Sequence, residues 1–286
     1  HTAAGTPSPS PARGRPRTGG RAVLDRPPET QGWSTTDEQE IELRRWRGRT
    51  EIGAVEPLEP RAPVFGTFRV QSEGGGSYDV EIRSRDQRIN SCGCIDHRVN
   101  GLGTCKHIEG VLEALRRQGA LENAAARARP RVEIFLDRRD GASPRIAWPE
   151  GRRTSEAVRA WLAPFLAADG MLRPEPTKVA ELLKEWTAAP ASIRRLLRVS
   201  RHFESWLERQ NRQRSHDEAR VGFLREVAAG KASFDLTRLP LLPYQRDGML
   251  HLAFGERALL ADEMGLGKTV QALAAAELLA RRRGVT

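Results

Sequence analysis

Lysine is scarce in this 286-residue chain: Lys106, Lys178, Lys184, Lys231 and Lys268 are the only five among 47 basic side chains, and the rest are arginine. A GC-rich coding bias would also trade Lys for Arg, so the ratio by itself excludes nothing. The balance of charge says more, because a formal net charge of +10 favours a polyanionic partner such as nucleic acid. Long apolar runs are missing too. Nothing approaches the roughly 18 apolar residues of a membrane span, so no membrane partner is expected, and no secretory signal is visible. Cysteine is rare and odd in number, three in all, which makes a disulfide framework a poor account of it. The chain starts at His1 and stops soon after a motif that opens a domain, so both ends read as truncation points. Its length leaves room for roughly two domains.

Residues 1 to about 32 are Pro, Gly, Ser, Thr and Arg with almost no large apolar side chains, a composition that cannot offset the entropy of ordering. They read as a disordered arm whose Arg13, Arg15, Arg17 and Arg21 either touch phosphate backbone or are simply solvated. Asp37, Glu38, Glu40 and Glu42 precede Arg44, Arg45, Arg47 and Arg49, an order that predicts a short helix within 33 to about 60. Segments 65–71 and 77–83 flank a Glu-Gly-Gly-Gly turn. Tyr78, Val80 and Ile82 alternate there with Asp79, Glu81 and Arg83, which predicts a β-hairpin with one buried face. A second hairpin is expected over 132–136 and 145–148. Helical patterns follow over 155 to about 168, over 177 to about 188, and in a longer helix opened by Pro190 that carries Ile193, Leu196, Leu197, Phe203, Trp206 and Leu207. Arg194, Arg195, Arg198 and Arg201 would give that helix a basic face, lying along a duplex or solvated.

All three cysteines fall within 14 residues, as Cys92-Gly-Cys94 and then Cys105-Lys-His107. Three thiolates and one imidazole are the four ligands a tetrahedral Zn²⁺ takes, and a filled shell leaves no open position for catalysis, so the site would be structural. The bland alternative is three small buried apolar side chains. Thr104 is placed to cap a helix in which Ile108, Val111, Leu112 and Leu115 form an apolar stripe ending near Gly119, with Cys105 and His107 in its first turn. His97 is a spare ligand candidate, read as a solvent-exposed loop histidine because His107 completes the set. Arg88, Arg98 and Lys106 are either phosphate contacts or solvated surface. Hairpin, Cys-x-Cys, loop and helix opening with Cys-x-His resembles the SWIM zinc finger over about 64–118. The resemblance implies contacts with DNA or protein and a Zn²⁺ on Cys92, Cys94, Cys105 and His107.

Near the end stands Asp-Glu-Met-Gly-Leu-Gly-Lys-Thr at 262–269, between an apolar run at 257–261 suited to a buried parallel strand and an Ala- and Leu-rich segment suited to a helix. Gly265 and Gly267 would let backbone N–H groups converge on phosphate oxygens at a helix N-terminus. Lys268 would reach the β and γ phosphates of ATP, and the Thr269 hydroxyl would bind Mg²⁺. The general phosphate-loop pattern wants Gly at 262, where this chain has Asp262. The stretch resembles motif I of Swi/Snf-family helicase-like ATPases. Leu-Pro-Tyr-Gln-Arg-Asp-Gly at 242–248 resembles the adenine-reading Q motif of the same family. The resemblance implies a nucleotide site made of Tyr244, Gln245, Asp262, Glu263, Met264, Gly265, Leu266, Gly267, Lys268 and Thr269, with Gln245 on the adenine edge. His216, Asp217 and Glu218 match a helicase carboxylate box in letters only, since no apolar strand precedes them.

The fold expected is multidomain α+β and α/β. A disordered basic arm and linker occupies 1–60, a small ββα zinc module 61–120, a hairpin plus helical region 121–235, and the truncated start of a RecA-like P-loop lobe 236–286. The resemblance implies a cytoplasmic, nucleoid-associated bacterial translocase that acts on duplex DNA, with ATP, Mg²⁺ and Zn²⁺ as cofactors. The 286 residues alone would be inactive as an ATPase. The rival readings are a zinc-dependent nucleic-acid or protein adaptor with an idle phosphate loop, and a P-loop ATPase of another class.

Overall fold

The computed structural model describes residues 26–29, 32–124, 131–139, 141–149, 154–255 and 257–283; most of the arm expected over the first 32 residues lies outside them. The first helix, α1 (Asp37–Thr50), is defined by its ends. Gln39 N–H donates to Thr36 Oγ1 at 3.3 Å while Thr36 N–H donates to Gln39 Oε1 at 2.9 Å, a closed capping box. Acidic residues fill its first turn and Arg47 and Arg49 its last, each sign where the helix dipole favours it.

Strands β1 (Ile52–Pro57), β2 (Thr67–Ser72), β3 (Ser77–Glu81) and β4 (Ser91–Cys92) form an antiparallel sheet in that order. Three short-to-medium helices follow: α2 (Ile95–Val99), α3 (Lys106–Arg117) and α4 (Ala120–Ala124). The stripe of Ile108, Val111, Leu112 and Leu115 packs α3 against Phe68, Val70, Val80 and Ile82 of the sheet. Helix α1 crosses α3 at a pair of glycines. A Cβ on Gly48 would stand 2.8 Å from the backbone nitrogen of Gly110, and one on Gly110 would meet Ile52 at 2.6 Å, so neither position has room for a side chain. Neither β1 nor this docking of α1 was anticipated; both join the sheet and core that carry the cysteines.

The second sheet has the order β6-β5-β7, from β5 (Val132–Asp137), β6 (Ser143–Ala147) and β7 (Leu197–Val199). Helices α5 (Glu156–Leu162), α6 (Pro176–Ala188) and α7 (Ala191–Leu196) cover one face. The long helix expected from Pro190 is absent. After α7 the chain extends into β7, parallel to β5 with Val132 opposite Leu197 and Ile134 opposite Val199, and only then begins α8 (Phe203–Ala228). The open edge of β5 needs partners for its N–H and C=O groups, and β7 supplies them. The basic face expected on one helix therefore does not exist: Arg194 and Arg195 are on α7, Arg198 is buried in β7, and Arg201 is in the turn that follows.

The hairpin also differs from expectation, because its polar face is covered at the Glu81 and Arg83 end, while Arg69 and Gln71 stay exposed. Glu81 and Arg83 are each 1% exposed. Arg83 pairs with Glu81 and lies 3.3 Å from Glu133, whose other carboxylate contacts include Arg198 at 2.7 Å and Arg131 at 3.1 Å. Across this ionic layer Ser200 Oγ and Arg201 N–H donate to Glu81, which ties the first sheet to the second.

Helix α8 runs 26 residues between two cores. Phe203 and Trp206 at its start belong to the second sheet's core, whereas Phe223 packs with Met249, Leu250 and Phe254 of α9 (Pro243–Phe254) and with Ala274 and Leu278 of α10 (Lys268–Arg283). Residues 257–261, expected as a strand, are irregular, and Leu259 is 82% exposed. Among the described residues no strand lies beside them, so they have no ladder to join. No described helix is long and apolar enough to cross a membrane.

Candidate metal centre and glycine-rich loop

Each ligand candidate of the cysteine cluster is set by a different local device. Cys92 ends β4 and pairs opposite Val80. Cys94 is the N-cap of α2, and its Sγ accepts from His97 N–H at 3.3 Å. Cys105 is the N-cap of α3, one residue later than the expected Thr104, whose hydroxyl instead donates to Glu109 Oε1 at 2.6 Å. His107 sits in the first turn of α3, stacked on Tyr78 with ring centroids 4.2 Å apart. The loop between α2 and α3 is held by Asn100, whose amide donates to Thr104 O at 2.9 Å while its carbonyl accepts from Leu102 N–H at 2.8 Å.

These devices bring one atom from each of Cys92, Cys94, Cys105 and His107 within 4.8 Å of one another, all four residues buried. His107 Nδ1 is 3.8 Å from Cys92 Sγ and 4.0 Å from Cys105 Sγ. A tetrahedral Zn²⁺ with bonds of about 2.3 Å to sulfur and 2.0 Å to nitrogen has ligand-to-ligand edges of roughly 3.5 to 3.8 Å, so the spacing and donor types fit zinc. Charge points the same way. Hydrogen bonds from Cys105 and Cys92 pull the Cys94 thiol well below the usual range, while burial and the neighbouring sulfurs push Cys105 well above it. A bound dication would take all three sulfurs as thiolates.

His97 was expected in an exposed loop and is buried at 1% exposure, on α2. Its Nδ1 is 3.1 Å from Cys92 O, and burial above all pulls its pKa down to about 4. It stands outside the four-residue group and braces the turn that carries two of its members. Lys106, considered as a phosphate contact, pairs with Glu51 at 2.5 Å.

The glycine-rich segment forms an open turn into α10, with φ of +87° at Gly265 and +72° at Gly267, values that favour glycine. Lys268 Nζ donates to the carbonyls of Asp262 and Glu263, each at 2.8 Å, so its side chain folds back across the loop. Gln245, in the first turn of α9, meets the same loop: Nε2 donates to Leu266 O at 3.3 Å, while Oε1 accepts from Leu242 N–H at 3.1 Å. A Cβ at Gly267 would stand 2.7 Å from that Nε2. Tyr244, Met264 and Thr269 are exposed around the turn. A contributor not foreseen is Gln271. It is fully buried, donating to Asp262 Oδ2 at 3.1 Å and Leu266 O at 3.2 Å, and a Cβ at Gly248 would collide with its Oε1. Its one sequence signal is its place on the first turn of the helix after Lys268.

No protein-family model matches the chain, and neither a curated protein nor a solved structure is detectably similar to it.

Proposed function

We propose that this chain belongs to an ATP-dependent translocase of duplex DNA of the Swi/Snf type, with a structural Zn²⁺ in a SWIM-like module and ATP on the loop at 262–269. What carries the reading is the contact between Gln245 and that loop, at 3.3 Å from Leu266 O: two motifs quoted from separate stretches of sequence meet at one site. Gly265 and Gly267 leave backbone N–H groups open to phosphate oxygens. Lys268 would exchange the carbonyls of Asp262 and Glu263 for the β and γ phosphates, and Thr269 would offer its hydroxyl to Mg²⁺. Gln245 keeps one oxygen lone pair beyond its present bonds, and the amide hydrogen it now gives to the Tyr244 hydroxyl at 3.4 Å would turn to the adenine edge. When bound, Mg·ATP supplies the phosphoanhydride whose hydrolysis drives movement.

The zinc-dependent adaptor remains the second reading. In its favour, Lys268 is satisfied by the loop's own carbonyls, and no strand flanks the loop among the described residues. Phosphate release by the complete protein with and without duplex DNA separates the two. The translocase reading expects DNA-stimulated turnover that Lys268→Ala abolishes while zinc content stays unchanged. Absent turnover favours the adaptor, and turnover indifferent to duplex DNA favours a P-loop ATPase of another class.

A further inference from the structure

Between α2, the middle of α8 and the end of α9 lies a cleft of about 570 Å³. Its lining carries five arginines, Arg98, Arg209, Arg212, Arg220 and Arg257, against a single carboxylate, Asp217, and that carboxylate accepts from Gln213 at 3.1 Å. Arg98, Arg212, Arg220 and Arg257 are exposed. From Arg209 to Arg220 on α8 is eleven steps along the chain, roughly 16 Å at the rise of an α-helix. A small anion touches two or three guanidiniums at once; a row of this length matches successive phosphates along a strand.

Behind the cleft sits Arg138, 8% exposed just after β5. Burial first, then the charges of Arg209 and Arg98, pull its pKa down to about 10. No carboxylate pairs with it among the described residues. A buried cation surrounded by like charge is costly unless an anion completes the region. The cleft is poorly furnished for stacking bases, because single-strand binders use exposed aromatic platforms and the only Phe, Tyr or Trp in the lining, Phe254, is 9% exposed, leaving the small ring of His251.

We propose that this cleft holds the phosphodiester backbone of duplex nucleic acid, gripped by Arg98 from α2, Arg209, Arg212 and Arg220 from α8, and Arg257 from the segment that leads to the phosphate loop. The assignment rests on the nucleic-acid half of the function proposed above and not on its ATP half. It gives α8 a task beyond joining two cores, since one strand of a duplex would contact the metal-bearing module and the nucleotide-binding segment together.

The test is a fluorescence-anisotropy titration of the full 286-residue chain, zinc-loaded, with a short labelled duplex of mixed sequence over a range of salt. Arg212→Gln with Arg220→Gln removes two exposed charges at little risk to folding; circular dichroism and zinc content check that. Binding should weaken on the order of tenfold at low salt, and the slope of log affinity against log salt should fall by about 2. Arg194→Gln with Arg195→Gln, exposed on α7 away from the cleft, should leave both unchanged. Retained duplex affinity in the Arg212/Arg220 pair would overturn the cleft while leaving nucleic-acid binding in place; no duplex binding by the unsubstituted chain at low salt would overturn both. Inorganic triphosphate that displaces the duplex at equal phosphate concentration would identify a small-anion pocket and overturn the backbone assignment.

Discussion

At the scale of single residues, Glu133 shows how much depends on completeness. Its carboxylate is fully buried and contacts Arg198 at 2.7 Å, Arg131 at 3.1 Å and Arg83 at 3.3 Å. Removing one partner of such a layer leaves charge buried without full compensation, a cost of about 3–5 kcal/mol. Arg198→Met should therefore lower the urea midpoint of the whole chain severely, whereas Arg194→Met, on an exposed neighbour, should leave it nearly unchanged. Comparable losses for both would contradict the burial of β7. The cysteine cluster makes a second prediction. Cys92→Ser or His107→Ala should lose the metal, and amide exchange should accelerate across residues 91–107, because the ligand atoms of four side chains from β4 and the starts of α2 and α3 converge there. Zinc retained in full by Cys92→Ser would argue against the ligand set.

At the scale of elements, the crossing of α1 and α3 is controlled by backbone proximity. Glycine to alanine usually stabilises an exposed helix by up to about 1 kcal/mol, but at a close approach the added methyl must displace its neighbour at about 1–3 kcal/mol. Gly222, in α8, has nothing within 4 Å of its would-be Cβ. Gly222→Ala should raise the melting temperature, and Gly48→Ala and Gly110→Ala should lower it. The same sign at all three positions would show that the helices are not in contact where Gly48 meets Gly110. The order of acidic and basic residues made α1 legible in sequence, because dipole complementarity is local. Its partner was not legible, since Gly48 and Gly110 look like ordinary helix interruptions until the two backbones are brought together.

At the scale of the whole molecule, the joint between the two sheets should make stability depend on pH. Burial alone would raise the Glu81 pKa, but Arg83, then His202 and Arg198, more than offset it and hold it below the usual carboxylate range. A carboxylate whose folded pKa is depressed stabilises the fold above its unfolded value, near 4.5, and that contribution is lost as pH falls through and below it. Glu59, held down by Thr67 and Arg131 against its own burial, adds in the same direction. Between pH 7 and pH 4 the urea midpoint should fall, and it should fall less in Glu81→Gln, which is already destabilised at pH 7 and has no such carboxylate to protonate. Any acid-dependent change at the cysteine cluster is common to both proteins, so the difference isolates Glu81. Equal falls would place Glu81 outside the layer that joins the sheets.

The sequence by itself determined the features that depend on neighbours along the chain. These are the capped ends of α1, the two hairpins, the apolar stripe of α3, the Cys-x-Cys and Cys-x-His pairs that converge, and the glycines of the loop at 262–269. Only the tertiary structure decided the rest. The extended stretch at 197–199 became a strand because β5 offered an open edge, and the apolar run at 257–261 stayed irregular because nothing offered it one. The Glu81 and Arg83 end of the first hairpin's polar face was buried because Arg198 and Glu133 arrive from fifty or more residues away to neutralise it. Periodicity reports which residues share a face; whether that face meets water, a hydrogen-bond ladder or an opposite charge is settled by elements the local pattern does not contain.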